Sequence, residues 1–255
     1  MAQSKKEIYE MRNLLLISSS RVHGSGFLEH CLPAVEEHFE SVSNVLFIPY
    51  ALADHDSYAR TVSEAFKPTG IQIDSIHDAD DPVQAVNQAN AIFIGGGNSF
   101  RLLKTLYDLE LIKPIRDAVL KNGVRYMGSS AGTNMACPTI RTSNDMPIVE
   151  PPSFDALGFI PFQINPHFLD ADPNSTHKGE TREQRLAEYL EENSVPVAGL
   201  REGSWLRVNG DQCLLQGETG MKLFRQDAEP AEIRAGDISY LLSLDNDLAN
   251  DPSSN

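Results

Sequence analysis

Apolar runs alternating with helical patterns predict an α/β protein built on a doubly wound, mostly parallel sheet with an antiparallel C-terminal extension. Three observations carry that prediction. Asn13-Leu14-Leu15-Leu16-Ile17, Val45-Leu46-Phe47-Ile48 and Ala91-Ile92-Phe93-Ile94 are continuous apolar stretches, the mark of strands buried on both faces. Between them the apolar residues fall at helical spacing, as in Phe27, Leu28, Cys31, Leu32, Val35 and Phe39. The first and third of these strands end in a polar loop and a glycine-rich turn, where open α/β sheets present their reactive groups.

Taken in order, residues 1–11 read as a disordered leader and residues 12–242 as a single catalytic α/β domain. The first strand opens on Ser18-Ser19-Ser20, and a helix covers Phe27 to Phe39. The second strand stops at Pro49, a helix spans about Asp56 to Phe66, and Ile71 to Ile76 makes a third strand. Pro82 starts a helix carrying Val83 and Val86. The fourth strand, Ala91 to Ile94, runs into Gly95-Gly96-Gly97-Asn98, and Leu102 to Leu120 holds one or two helices with Pro114 as a restart. The fifth strand, from Val124, enters Gly128-Ser129-Ser130-Ala131-Gly132. Further on, Leu186 to Glu192 reads as helix and Val195 to Leu200 as strand. Trp205 to Val208, Gln212 to Leu215 and Met221 to Phe224 read as the antiparallel finish, with a hairpin turn at Val208-Asn209-Gly210-Asp211. Ile238 to Leu242 is a last apolar element, and residues 243–255 read as a disordered acidic tail.

Composition excludes several classes. The net charge of −15 disfavours a nucleic-acid or anionic-membrane surface, which needs clustered Lys and Arg. No run of about 18 apolar residues spans a bilayer, and the polar N-terminus lacks the apolar core of a signal peptide. Cys31, Cys137 and Cys213 form neither a metal pair nor a disulfide framework, so buried reduced thiols in a cytoplasmic protein are expected. No metal or cofactor is expected.

The chemistry concentrates at Gly128-Ser129-Ser130-Ala131-Gly132. A strand entering G-x-S-x-G and then a helix is the pattern of a nucleophile elbow, with Ser130 lifted clear of the sheet edge. A serine needs a base, and seven histidines compete. His23, His30, His38, His55 and His77 read as solvated side chains, and His177 lies in a polar stretch beside Lys178. His167 differs: it ends the alternating run Phe162-Gln163-Ile164-Asn165-Pro166-His167-Phe168, beyond a proline that fixes the backbone. Two acids could orient its ring, Glu202 just after a strand and Asp145 in the loop beyond the elbow helix, and both remain open. The Gly95-Gly96-Gly97-Asn98 turn lacks the Lys-Ser/Thr of a P-loop and the spacing of a dinucleotide fingerprint. It reads as half of an oxyanion hole, with the amide of Ala131 as the other half.

These stretches, with Ala136 to Thr142, Asn144 to Val149 and His177 to Arg185, closely resemble peptidase E, the family of cytoplasmic α-aspartyl dipeptidases, over roughly residues 12 to 225. The resemblance implies a flavodoxin-like fold similar to that of class I glutamine amidotransferase domains, with serine in place of their cysteine. It implies a metal-free serine dipeptidase acting on Asp-X dipeptides. On this basis Ser130 is the nucleophile, His167 the base, and Asp145 or Glu202 the charge-relay acid. Gly97 and Ala131 supply the oxyanion hole. One departure is Ser129, where the family carries a bulky aromatic, which makes Ser129 a minor rival to Ser130.

An N-terminal aspartate offers a β-carboxylate that an arginine grips bidentately. Arg182, Arg185 and Arg141 are the arginines nearest in sequence to the catalytic candidates, and Asn98 is a further substrate contact. The expected partners are short peptides with N-terminal aspartate, acted on by a monomer or homodimer. Two other readings are a cyanophycinase-like hydrolase of β-linked aspartyl peptides and a non-catalytic module gripping phosphate at the Gly95 turn.

Overall fold

The computed structural model describes residues 9–172 and 179–243. In chain order its elements are β1 (Asn13–Ile17), α1 (Leu32–His38), β2 (Asn44–Ile48), α2 (His55–Phe66), β3 (Gln72–Ser75) and α3 (Pro82–Gln88). β4 (Ala91–Ile94), α4 (Ser99–Asp108), α5 (Ile112–Asn122), β5 (Arg125–Ser129) and α6 (Ala131–Ala136) follow. The second half holds β6 (Gln163–Phe168), α7 (Arg182–Glu192), β7 (Val197–Arg201), β8 (Ser204–Asn209), β9 (Gln212–Gly217), β10 (Met221–Phe224), β11 (Ala231–Ile233) and β12 (Gly236–Asp237).

Helix starts follow the sequence. Asp54, Asp81 and Asn98 accept hydrogen bonds from the amides of Ser57, Gln84 and Arg101, satisfying donors that a first turn leaves free. Thr181 and Gln184 form a reciprocal capping box at α7. The break between α4 and α5 falls at Glu110, which takes a φ of 56°, ahead of the expected restart at Pro114. Pro114 sits instead in the first turn of α5, where its missing N–H has no partner to lose.

The large sheet has the order β12-β9-β8-β1-β5-β4-β2-β3. β1, β5, β4, β2 and β3 run parallel, and β8 joins β1 antiparallel. The period-2 geometry of β1 splits its side chains between two cores. Leu14 and Leu16 pack with Ile92, Ile94 and residues of α4 and α5. Leu15 and Ile17 pack with Phe47, Phe93 and residues of α1 and α2. Helices on both faces make the sheet doubly wound, as expected.

The antiparallel finish is not one extension. β8, β9 and β12 continue the large sheet, whereas β10 and β11 join β7 and β6 in a second, four-stranded sheet of order β11-β10-β7-β6. Burial explains the division. β8 alternates, with Leu206 and Val208 inside and Trp205 and Arg207 half-exposed, and so suits an antiparallel strand with one wet face. Val197-Ala198-Gly199-Leu200 of β7 is buried throughout and needs cover on both sides. α7 supplies part of it, packing Leu186 and Leu190 on Phe168, Val197 and Phe224.

Of the expected leader, Tyr9 to Met11 form a turn on which Arg12 stacks, its guanidinium 4.6 Å from the Tyr9 ring centre. Residues 1–8, His177, Lys178 and residues 244–255 lie outside the described residues. No helix among the described residues is long and apolar enough to cross a membrane.

Candidate active site

At the carboxyl end of β5 the chain reverses sharply into α6. Ser130 takes φ 54° and ψ −110°, a conformation that costs a non-glycine residue energy and persists only when its surroundings impose it. They do. The Ser130 amide donates to the Ile17 carbonyl at 3.0 Å, and Thr133 Oγ1 reaches the Ile17 and Gly128 carbonyls at 2.7 and 3.0 Å. A Cβ on Gly132 would overlap the Ile94 carbonyl, so helix and strand approach as closely as backbones can. Ser129, the neighbouring hydroxyl, is fully buried without a hydrogen-bond partner and so faces away from the cleft.

His167 reaches this serine from the other sheet. Its Nε2 lies 2.9 Å from Ser130 Oγ, and its Nδ1 lies 2.6 Å from Glu202 Oε1. β6 departs from regular pairing between Asn165 and Phe168, and there His167 takes a φ of 52°. Its amide donates to Ser18 Oγ at 2.9 Å, and that hydroxyl donates to the Leu200 carbonyl at 2.8 Å. Ser18, just beyond β1, thereby ties β6 and β7 to the large sheet. Glu202 sits in the β7–β8 turn, where its carbonyl accepts from Thr219 Oγ1 at 2.6 Å. Glu202 as acceptor puts the ring proton on Nδ1, leaving Nε2 free to take the serine proton. The side chains of His167 and Glu202 are 34% and 43% exposed, so substrate has access to the pair.

Asp145, the other candidate acid, is engaged elsewhere. Its Oδ2 accepts from the Ser99 amide at 2.7 Å, from Ser99 Oγ at 2.6 Å and from Ser143 Oγ at 3.1 Å. A carboxylate at the start of α4 is stabilised by the free amides there and anchors the glycine turn that precedes it. Gly97 in that turn has a φ of +135°, and a Cβ on it would sit 2.6 Å from the Ala51 carbonyl. A Cβ on Gly96 would sit 3.0 Å from Ser130 Cβ, so the turn packs directly on the serine. Neither the Gly97 nor the Ala131 amide has a protein acceptor among the described residues. Both are available to an oxyanion.

The remaining candidates separate. Both ends of the Asn98 amide are engaged, with the Arg101 amide and the Met146 carbonyl, so its side chain holds the turn. Arg141 stacks on Phe154 with its guanidinium 4.8 Å from the ring centre, and Arg185 pairs with Glu180 at 3.5 Å. Arg182 is half-buried with no ion pair among the described residues. Burial, and then Arg185, lower its pKa, while Asp145 acts in the opposite sense.

Sequence reasoning missed the cleft itself, a cavity of about 550 Å³ beside Ser130 and His167, walled by Arg21, Phe27, Leu52 and Tyr58. Arg21 follows a strand in an irregular loop and carries no periodic or spacing signal. Two histidines also differ from expectation. His38 is 1% exposed, and burial, with Arg207 and Arg125 nearby, pushes its pKa down to about 3. His30 has both ring nitrogens buried without partners, and burial lowers its pKa. Cys31, Cys137 and Cys213 are free and buried, and burial pushes each thiol up to about 12, so none is a nucleophile.

Comparison with known proteins now bears on this geometry. The profile of Peptidase family S51 matches residues 14–216. The chain belongs to peptidase family S51. Peptidase E of Streptomyces coelicolor is 56% identical over 91% of this chain and 96% of its own length. A Drosophila melanogaster protein named "Probable alpha-aspartyl dipeptidase" is 50% identical over 91% and 98%. The crystal structure of a peptidase from an acI-B1 Actinobacterium superposes with a TM-score of 0.61 at 20% identity, covering 88% of this chain and 95% of that one. That likeness bears on the fold, which is of the class I glutamine amidotransferase type. As an S51 member this chain is a serine peptidase acting on peptide substrates.

Proposed function

We propose that this S51 peptidase removes an N-terminal aspartate from short peptides, chiefly Asp-X dipeptides, through an acyl-enzyme on Ser130. One observation carries the reading above the others: a hydroxyl at a strained elbow, 2.9 Å from an imidazole whose far nitrogen meets a carboxylate at 2.6 Å. Ser130 Oγ attacks the aspartyl carbonyl carbon while its proton passes to His167 Nε2. The oxyanion is received by the Gly97 and Ala131 amides, and Glu202 steadies the imidazolium. His167 then gives the proton to the leaving nitrogen, the C–N bond breaks, and residue X departs. Water attacks the ester, its proton returns through His167 to Ser130, and aspartate is released.

Arg182, half-buried and within electrostatic range of Asp145, is the arginine we assign to the substrate's β-carboxylate. Asp145 acts through the turn it anchors. The α-aspartyl preference follows the name of the Drosophila relative and the nearby guanidinium. Buried, unpaired thiols fit a cytoplasmic setting.

The test is turnover of Asp-p-nitroanilide beside its glutamyl analogue and its β-linked isomer, with EDTA present. The reading predicts that the α-aspartyl substrate is hydrolysed fastest and that EDTA changes nothing. Faster hydrolysis of the β-linked isomer, or no turnover of any, would overturn it.

A further inference from the structure

We propose that the cleft beside Ser130 seats the leaving residue of the substrate, and that Arg21 pairs there with that residue's terminal carboxylate. The inference rests on the dipeptidase reading and concerns the half of the substrate that reading leaves without a partner.

An Asp-X dipeptide carries two carboxylates, and Arg182 accounts for one. The second lies one residue beyond the scissile nitrogen, and one residue spans at most about 3.6 Å. It therefore stays inside the cleft that holds Ser130 and His167, whose wall includes Arg21. The side is set by proton transfer. His167 must hand its proton to the leaving nitrogen, so residue X lies towards the imidazole. The loop that follows β1 flanks that group: Ser18 at its start holds the His167 amide at 2.9 Å, and Arg21 is three residues on. Arg182, by contrast, is within electrostatic range of Asp145, which is bonded to Ser99 beyond the glycine turn.

The state of Arg21 fits the assignment. Its backbone is held from both directions by the Ser19 hydroxyl, which accepts from the Arg21 amide at 3.1 Å and donates to its carbonyl. Its guanidinium is exposed and has no ion pair among the described residues, in a chain of net charge −15. The acid on the same wall, Asp54, accepts from the Ser57 amide at 2.9 Å and caps α2. Phe27, Leu52 and Tyr58 complete a largely apolar wall that accepts side chains of varied shape. A cation set one residue past the scissile bond also disfavours longer peptides, which place an uncharged amide where the carboxylate belongs.

The experiment compares Asp-Leu, its C-terminal amide and Asp-p-nitroanilide in wild type, Arg21→Ala and Arg21→Lys. Wild type is expected to favour the acid over the amide. Arg21→Ala is expected to reduce that ratio of kcat/KM about tenfold, chiefly through KM. Arg21→Lys restores part of it, because it keeps the charge without the two-pronged geometry. The anilide reports whether each variant is folded and competent. Equal losses on all three substrates would assign Arg21 to the shared aspartyl half and overturn the proposal, as would an unchanged acid-to-amide ratio. Wild type inert towards all three would sink the dipeptidase reading and this one together, an outcome distinct from either.

Discussion

Ser130 and His167 meet across 2.9 Å with nearly the same unusual backbone, φ 54° and 52°, yet the protein holds them by different means. Ser130 is fixed by close backbone packing, with glycines on either side that let α6 close against β4 and β5 and with its amide bonded to the Ile17 carbonyl. His167 is fixed at a distance, by an irregular stretch of β6 and by the hydroxyl of Ser18, 149 residues earlier in the chain. The first device is rigid because backbones are in contact. The second rests on one hydroxyl, bonded to the His167 amide and the Leu200 carbonyl, and so is easier to weaken without collapsing the fold.

The largest effect should come from the rigid side. In Gly132→Ala the added methyl meets the Ile94 carbonyl, and overpacking of this kind costs about 1–3 kcal/mol. Because the strand-to-helix turn must open to relieve it, Asp-p-nitroanilide turnover is expected to fall by at least about a hundredfold, given the sensitivity of catalysis to misplacements near 1 Å. Near-normal turnover would mean that the elbow is less constrained than its packing implies.

An intermediate effect is expected on the other side. Ser18→Ala removes the acceptor for the His167 amide and the donor to the Leu200 carbonyl, at a cost of about 1 kcal/mol in thermal or urea unfolding. Catalytically the loss should fall on kcat, roughly tenfold, with KM little changed, because the imidazole drifts while substrate contacts remain. Ser18→Thr, which keeps the hydroxyl, should recover part of the activity. A loss confined to stability, with kcat intact, would show that β6 holds its conformation unaided.

The smallest effect concerns a buried histidine outside the catalytic group. Burial holds His38 at a pKa near 3, below its ordinary value of about 6.5. Between those values the unfolded chain binds a proton that the native state refuses, so stability falls as pH drops through the window. The slope from this one group reaches at most about 1.4 kcal/mol per pH unit. His38→Leu should flatten the acid limb of the urea-unfolding profile between pH 6 and 4 while leaving turnover unchanged. An identical slope would mean that His38 is protonated in the folded protein.

The same contrast explains what could be read in advance. Leu14 to Ile17, Val45 to Ile48 and Ala91 to Ile94 announce buried strands because burial on both faces leaves an unbroken apolar run. Ser130 is legible because part of its constraint is written in the neighbouring glycines. Glu202 and Asp145 could not be separated, since both follow regular elements in polar turns, and only tertiary folding sends one to His167 and the other to Ser99. The division of the C-terminal strands between two sheets is equally hidden, because β8 and β10 are both short apolar strands whose partners lie elsewhere in the chain. Arg21, Ser18 and the buried state of His38 share that cause: each depends on what packs against it.

The central claim is that Ser130, drawn by His167 and Glu202, is the attacking group. Its most direct test is intact-mass and peptide mapping after brief exposure to a fluorophosphonate. A single adduct on Ser130 is expected in wild type, formed far more slowly in Glu202→Gln and not detectably in His167→Ala. An adduct on Ser129, or labelling of Ser130 at the same rate in all three proteins, would contradict the account.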